Sequence, residues 1–143
     1  IADLINLATH TTYGVPGYIQ EAGLYALGLG EAAEARVAAP FLRRRDALLA
    51  RLQGQTLIRA IPPDGAMYVM LDIRATGLSG TDFAKALLDA EMVAVMPGES
   101  FGQAAAGHLR VALTLPDDQF AEAIERLIGF AERLAGGTDR ARA

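Results

Sequence analysis

The chain has 143 residues, 52% hydrophobic and 21% charged, which is typical of one globular domain with a buried core. Its formal net charge of -4 disfavours attraction to a phosphate backbone, so we expect no nucleic acid partner. No apolar run reaches the roughly 18 to 20 residues of a membrane span and no secretory signal opens the sequence, so we expect no membrane partner.

Metal and thiol chemistry are disfavoured by the residue types present. Cysteine is absent, which excludes disulfides, thiolate nucleophiles and cysteine-based zinc sites and is consistent with a cytoplasmic location. The histidines, His10 and His108, are far apart in sequence and outside any two-histidine metal spacing. We therefore expect no metal site.

The first half of the chain is predicted to be mainly helical. A short helical segment ends in a loop at residues 11–17, where two glycines and a proline interrupt any periodic element. Residues 18–53 have helical periodicity, and we expect interruption or kinking at Gly28, Gly30 and Pro40. We interpret this segment as a long kinked helix that links two domains.

Three consecutive arginines, Arg43, Arg44 and Arg45, form the one local concentration of positive charge. They fall in a helical pattern beside Asp46, where charges of opposite sign can pair along the helix surface. We predict a solvated, salt-bridged helix face and no nucleic-acid-binding patch.

The second half of the chain contains four runs of strand length. Residues 56–61 and 66–73 are separated by Pro62-Pro63-Asp64-Gly65, where the dihedral preferences of proline and glycine favour a tight turn. Residues 92–96 and 108–114 are predicted to be two further strands. The loop between them is rich in glycine.

Two helices accompany these strands. The first is predicted to begin after Ser79, because Asp82 follows three residues later as a capping signal. The second has Pro116 at its first helical position and ends at Gly136-Gly137. Together the elements predict an α/β fold of the small α+β type. It has a small mixed or antiparallel sheet of about four strands, covered by helices and preceded by the long kinked linking helix.

The glycine-rich loop contains the pattern Gly-x-Ser-x-Gly around Ser100, which resembles the nucleophile elbow of α/β-hydrolases. That arrangement requires an acid and then a histidine after the serine. Here His108 comes first, and no histidine follows Asp117 or Asp118. We therefore expect Ser100 not to be a nucleophile.

Arg110 and Lys85 are the cationic residues whose surroundings bear most on function. Alternation along 108–114 places Arg110 on the opposite face from the apolar positions, either as an ordinary surface arginine or as an anion site. Lys85 is the only lysine, and it is flanked by Asp82 and Asp89 at helical neighbour spacing. We expect it to be solvent-facing and ion-paired, whereas a Schiff-base lysine needs a desolvated or cation-adjacent pocket.

Five segments, in order along nearly the whole chain, resemble the C-terminal third of the aspartate aminotransferase-like group. This group comprises the pyridoxal-phosphate-dependent class I/II aminotransferases of fold type I. The segments are Thr11-Thr12-Tyr13-Gly14-Val15-Pro16 leading into Gln20-Glu21-Ala22, Arg44-Arg45-Asp46, Pro63-Asp64-Gly65-Ala66-Met67-Tyr68, Val95-Met96-Pro97-Gly98 through Phe101-Gly102, and Gly107-His108-Leu109-Arg110.

The resemblance implies roles for individual residues. Arg110 matches the family arginine that binds the α-carboxylate of the amino-acid substrate, and Phe101 matches a phenylalanine that forms an apolar wall of the substrate site. Tyr13 lies in a segment that approaches the cofactor site of the neighbouring subunit. Residues 9–13 contain no arginine, so a strict preference for aspartate or glutamate is not implied.

The resemblance also implies that the whole enzyme is a homodimer that moves an amino group between an amino acid and a 2-oxo acid, with pyridoxal phosphate as cofactor. The family's cofactor lysine precedes the matched segments. This chain would therefore bind the substrate carboxylate but carry no catalytic residue, would not hold pyridoxal phosphate covalently, and would be inactive alone.

The implied domain organisation follows the same resemblance. Residues 1–30 would form the tail of the large cofactor domain and the linking helix, 31–137 the C-terminal small domain, and 138–143 a frayed tail. The alternative interpretation is a free-standing, regulatory α/β domain that binds a small molecule.

Overall fold

The computed structural model of this protein describes residues 1–140, and the side chains of residues 1–136. The helices, α1 to α5, span Ala2–Thr11, Gly17–Leu27, Glu31–Arg51, Gly80–Glu91 and Asp117–Arg140. The strands, β1 to β4, span Arg59–Ile61, Tyr68–Asp72, Met96–Pro97 and His108–Ala112. Short 3-10 helices lie at Arg74–Thr76, Gly98–Phe101 and Gln103–Ala105. Two compact units divide within α3, between Ala38 and Ala39.

The first compact unit, residues 1–38, contains α1, α2 and the first part of α3, and none of its residues is buried. The predicted interruption at Gly28 and Gly30 is confirmed, because α2 ends at Leu27 and α3 begins at Glu31. Gly30 has a φ of +72°, a left-handed conformation that glycine adopts without strain. Helix α3 is not interrupted at Pro40, which lies inside it and removes a single backbone donor.

The second compact unit, residues 39–143, contains a four-stranded antiparallel sheet in the order β1-β2-β4-β3. The predicted α/β fold and small antiparallel sheet are confirmed. Strands β1, β2 and β4 are shorter than the apolar runs that predicted them, and Ile58, for example, is buried just before β1 begins. The third strand was predicted at 92–96, whereas β3 begins only at Met96 and includes Pro97. The difference arises because an apolar pattern reports burial, whereas a strand also needs a hydrogen-bonded partner.

The core of this unit lies between one face of the sheet and the helices. Leu71 of β2 and Leu109 of β4 are fully buried there, beside Phe83 of α4. Phe83 packs edge-on against Phe130 of α5, with 5.2 Å between the ring centroids. Because side chains alternate along a strand, the positions between the buried ones face away from the helices.

The helix termini agree with the sequence signals in part. Ser79 caps α4 as predicted, because its hydroxyl accepts a hydrogen bond of 3.0 Å from the backbone N–H of Asp82. The expected end of α5 at Gly136-Gly137 is wrong, since α5 continues to Arg140. Glycine disfavours a helix interior by about 1 kcal/mol but does not forbid it. The rest of the predicted frayed tail, 141–143, lies outside the described residues.

The arginine run lies on α3 and is salt-bridged, as predicted. Arg43 and Arg44 donate to the carboxylate of Asp117 at 2.7 and 2.6 Å, and Arg45 pairs with Asp46. Arg44 departs from the expected solvated face, because its side chain is only 14% exposed and also donates to the carbonyl oxygen of Leu113 at 2.8 Å. No helix within residues 1–140 has the length and apolarity needed to cross a membrane.

Candidate functional site

Arg110 lies in the middle of β4 on the sheet face that points away from the helices. Its neighbours Leu109 and Val111 are buried in the core, whereas Arg110 is half-buried on the other face. Its direct cross-strand partners are Met70 on β2 and Met96 on β3. The guanidinium therefore stands in largely apolar surroundings, where charge interactions are screened less than in water.

Two aromatic rings contact the guanidinium of Arg110. Its central carbon lies 4.1 Å from the ring centroid of Tyr68 and 4.5 Å from that of Phe101. Both distances are within the range of cation–π attraction. The structure thus places Phe101 beside Arg110, and it also places Tyr68 there, a residue that the sequence pattern did not indicate.

The donors of Arg110 are unpaired. Among the described residues, its guanidinium forms no ion pair and donates no hydrogen bond. Most other arginines in that part of the chain are paired with an acid: Arg43, Arg44, Arg45, Arg51, Arg59, Arg74, Arg126 and Arg133. A half-buried guanidinium with its planar set of N–H donors free is suited to an incoming carboxylate.

The nearest acid along β2, Asp72, does not compete for Arg110. Its carboxylate is only 10% exposed and accepts hydrogen bonds from Arg74 at 2.7 and 2.9 Å and from Arg59 at 2.9 Å. Chiefly because of the Arg74 hydrogen bonds, the pKa of Asp72 is held well below its ordinary value. The described histidines and acids contain no group of three that could hold a metal ion.

The loop that carries Phe101 is held by Glu99. Its Oε1 accepts hydrogen bonds from the backbone N–H groups of Gly80, at the start of α4, and of Gly107, just before β4, at 2.9 and 3.0 Å. Its Oε2 is buried and has no hydrogen-bond partner among the described residues. The pKa of Glu99 is lowered, chiefly by the hydrogen bond from Gly107, and the hydrogen bond from Gly80 also lowers it. Partial burial of the carboxylate opposes this shift by raising the pKa. Sequence reasoning missed this contact because Gly80 and Gly107 lie 19 and 8 residues from Glu99, outside any local motif.

Replacing Glu99 by glutamine should destabilise the fold at neutral pH, because the charged acceptor for the backbone N–H groups of Gly107 and Gly80 is lost. Since the pKa of Glu99 is lowered in the folded state, its contribution is present above the unfolded value of about 4.3 and is lost as the pH falls through the folded-state pKa. Urea midpoints of both proteins at several pH values between 7 and 3 test this. The difference between the two urea midpoints should become smaller as the pH falls. A difference that stays constant between pH 7 and 3 would contradict this prediction. Asp64→Asn, in an exposed turn, is the control.

The candidate nucleophile Ser100 is not activated in this structure. Ser100 is exposed, and among the described residues it forms no hydrogen bond with any side chain. The Nδ1 of His108 is instead 2.9 Å from the backbone oxygen of Ala106. Among the described residues, no side chain is hydrogen-bonded to Ser100 as the base that a hydrolase mechanism requires.

The comparisons with known proteins identify the group to which this geometry belongs. The family model described as aminotransferase class I and II matches residues 3–127. The chain belongs to this family. Arginine–pyruvate transaminase AruH of Pseudomonas aeruginosa is 44% identical over 137 residues, which are 94% of this chain and 34% of that relative. Aspartate aminotransferase of Pyrococcus horikoshii is 30% identical over 129 residues, which are 89% of this chain and 33% of that relative.

Solved aminotransferase structures have the same fold. The aromatic aminotransferase from Pyrococcus horikoshii OT3 superposes with a TM-score of 0.76 at 28% identity, over 90% of this chain and 35% of that chain. This chain therefore spans about a third of the length of the curated and solved aminotransferases reported above.

In an aminotransferase of this family pyridoxal phosphate is the implied cofactor, and among the described residues of this chain no lysine lies in a pocket that could hold it covalently. Lys85 is exposed on α4, as expected, and so lacks the desolvated pocket of a Schiff-base lysine. The expected ion pair of Lys85 is wrong, because none is formed among the described residues and Asp82 accepts from the Ser79 hydroxyl instead. Tyr13 belongs to the first compact unit and is 87% exposed there.

Proposed function

We propose that this chain is the C-terminal, substrate-carboxylate-binding part of a pyridoxal-phosphate-dependent aminotransferase that moves an amino group between an amino acid and a 2-oxo acid. The observation that carries the proposal is the unpaired, half-buried guanidinium of Arg110. Such a guanidinium binds a carboxylate by two parallel charge-assisted hydrogen bonds, which fix the orientation of the substrate. Membership of the aminotransferase family supports this role.

The other residues of the proposal have supporting roles. Phe101 forms an apolar wall beside the carboxylate and excludes water, which strengthens the ion pair. Tyr13 contacts the cofactor of the neighbouring subunit in a homodimer, a role that its high exposure permits. Pyridoxal phosphate supplies an electron sink when it is bound. Our proposal assigns its lysine to a part of the enzyme outside this chain, which covers 34% of the length of one relative.

The proposed domain organisation places residues 1–30 in the large cofactor domain and the linking helix, and residues 31–137 in the small domain. The division of the chain into compact units between Ala38 and Ala39 supports a boundary in this region. The absence of buried residues from 1–38 also supports it, because these helices would find their packing partners in the large domain. A cytoplasmic location is consistent with the absence of cysteine.

The proposed substrate class is the α-amino acids. The relatives are named for arginine and pyruvate, aspartate, and LL-diaminopimelate, which differ in their side chains. Each of the amino acids has an α-carboxylate, which is the group that Arg110 is suited to bind. Residues 9–13 contain no arginine to pair with a second carboxylate, so the proposal includes no strict preference for dicarboxylic amino acids.

An amino-group transfer assay tests this proposal. The enzyme that contains this chain, loaded with pyridoxal phosphate, is expected to transfer amino groups from a panel of amino acids to 2-oxo acids such as pyruvate. The 143-residue chain alone is expected to give no transfer, because Lys85 is exposed. The proposal would be refuted if the whole enzyme transferred no amino group between any pair of amino acid and 2-oxo acid. Transfer by the 143-residue chain alone would refute the assignment of the cofactor lysine to another part of the enzyme.

A further inference from the structure

We propose that Tyr68 is a positioning residue for the substrate carboxylate: its ring orients the Arg110 guanidinium without using any of the guanidinium's hydrogen-bond donors. This inference rests on the proposed function of Arg110. Tyr68 lies on a different strand from Arg110, and we expect the loss of its ring to affect substrate binding only through Arg110.

The sheet register sets Tyr68 beside Arg110. Tyr68 pairs with Ala112, and Met70 pairs with Arg110, so Tyr68 and Arg110 are diagonal neighbours on the same face of β2 and β4. Diagonal neighbours on a sheet are within reach of aromatic and long side chains. The distance of 4.1 Å from the guanidinium carbon to the ring centroid shows that the two side chains make this contact.

An aromatic partner orients an arginine differently from an acidic one. An acidic side chain would accept hydrogen bonds from the N–H groups of the guanidinium and neutralise its positive charge, as Asp72 does for Arg74. A ring contacts the guanidinium through its π system and leaves the N–H donors of Arg110 available, which agrees with their unpaired state among the described residues. The guanidinium is thus held in place before a carboxylate arrives, and less side-chain freedom is lost on binding.

Tyr68 is better suited to this role than the second ring. Phe101 lies on a short 3-10 helix and is 48% exposed, whereas Tyr68 lies in strand β2 and pairs with Ala112 of β4. The Tyr68 hydroxyl forms no hydrogen bond among the described residues. The ring, and not the hydroxyl, is therefore the part that acts.

The test uses the whole enzyme with Tyr68→Leu, Tyr68→Met and Tyr68→Phe, and compares amino acids with amines that lack a carboxylate. Tyr68→Leu and Tyr68→Met should each raise KM for amino acids by about fivefold, the loss of one cation–π contact, with kcat little changed. Amine half-reaction rates should not change. Tyr68→Phe should behave as the unaltered enzyme, and Tyr68→Leu should have no further effect in an Arg110→Ala background.

The outcomes separate this inference from the proposed function. If Arg110→Ala impairs amino acids selectively but Tyr68→Leu and Tyr68→Met do not, the positioning role is overturned and the function of Arg110 stands. Equal losses for amino acids and amines in the Tyr68 variants would show a general structural effect and would overturn it as well. If Arg110→Ala itself shows no selectivity for amino acids, both proposals fail.

Discussion

Arg110→Ala is expected to lower the transition-state binding of amino acids by about 2 to 5 kcal/mol in the enzyme that contains this chain, with cofactor binding almost unaffected. The loss is large because the carboxylate would enter apolar surroundings without its partner. Arg110→Lys should recover only part of it, since an ammonium keeps the charge but lacks the planar pair of donors.

Single-turnover half-reaction kinetics with amino acids and with amines measure this effect. Amines never use the contact, so their rates should change far less. Arg126→Ala is the control, because Arg126 forms an exposed pair with Glu122 one helical turn away and should leave both substrate types unaffected. An equal loss for amino acids and amines, or no loss for amino acids, would show that Arg110 is an ordinary surface arginine.

Gly98→Ala is expected to lower the free energy of unfolding by about 3 kcal/mol, towards the upper end of the cost of overpacking. A β-carbon at Gly98 would overlap the backbone oxygen of Ala105 and lie 2.9 Å from that of His108. Both obstacles are backbone atoms, so a side-chain rotation cannot relieve them. The loop would have to move, and Phe101 would move with it.

Urea unfolding of this chain measures the effect, with Gly65→Ala as the matched control. A β-carbon at Gly65 would meet nothing within 4 Å, and its φ is not positive, so the control should be neutral or slightly stabilising. In the whole enzyme Gly98→Ala should also raise KM for amino acids. Equal stability of the two variants would refute the close approach at Gly98.

Local features of this protein could be predicted from its sequence because they depend on neighbouring residues. The cap at Ser79, the break at Gly28 to Gly30 and the positions of β1, β2 and β4 follow from dihedral preferences and from side-chain periodicity, whereas β3 lies at the end of the segment predicted for it. The outward direction of Arg110 follows from the two-residue repeat of a strand. The ordered segments were sufficient to recognise the family, which the family model confirms over residues 3–127.

The surroundings of Arg110 were decided only by the tertiary structure. The order β1-β2-β4-β3 and its register bring Tyr68 beside Arg110, although the two are far apart in sequence. The carboxylate of Glu99 acquires its partners only when α4 and β4 pack around the loop. Strand pairing and close packing depend on contacts between remote segments, whereas residue patterns report only which face of an element is buried.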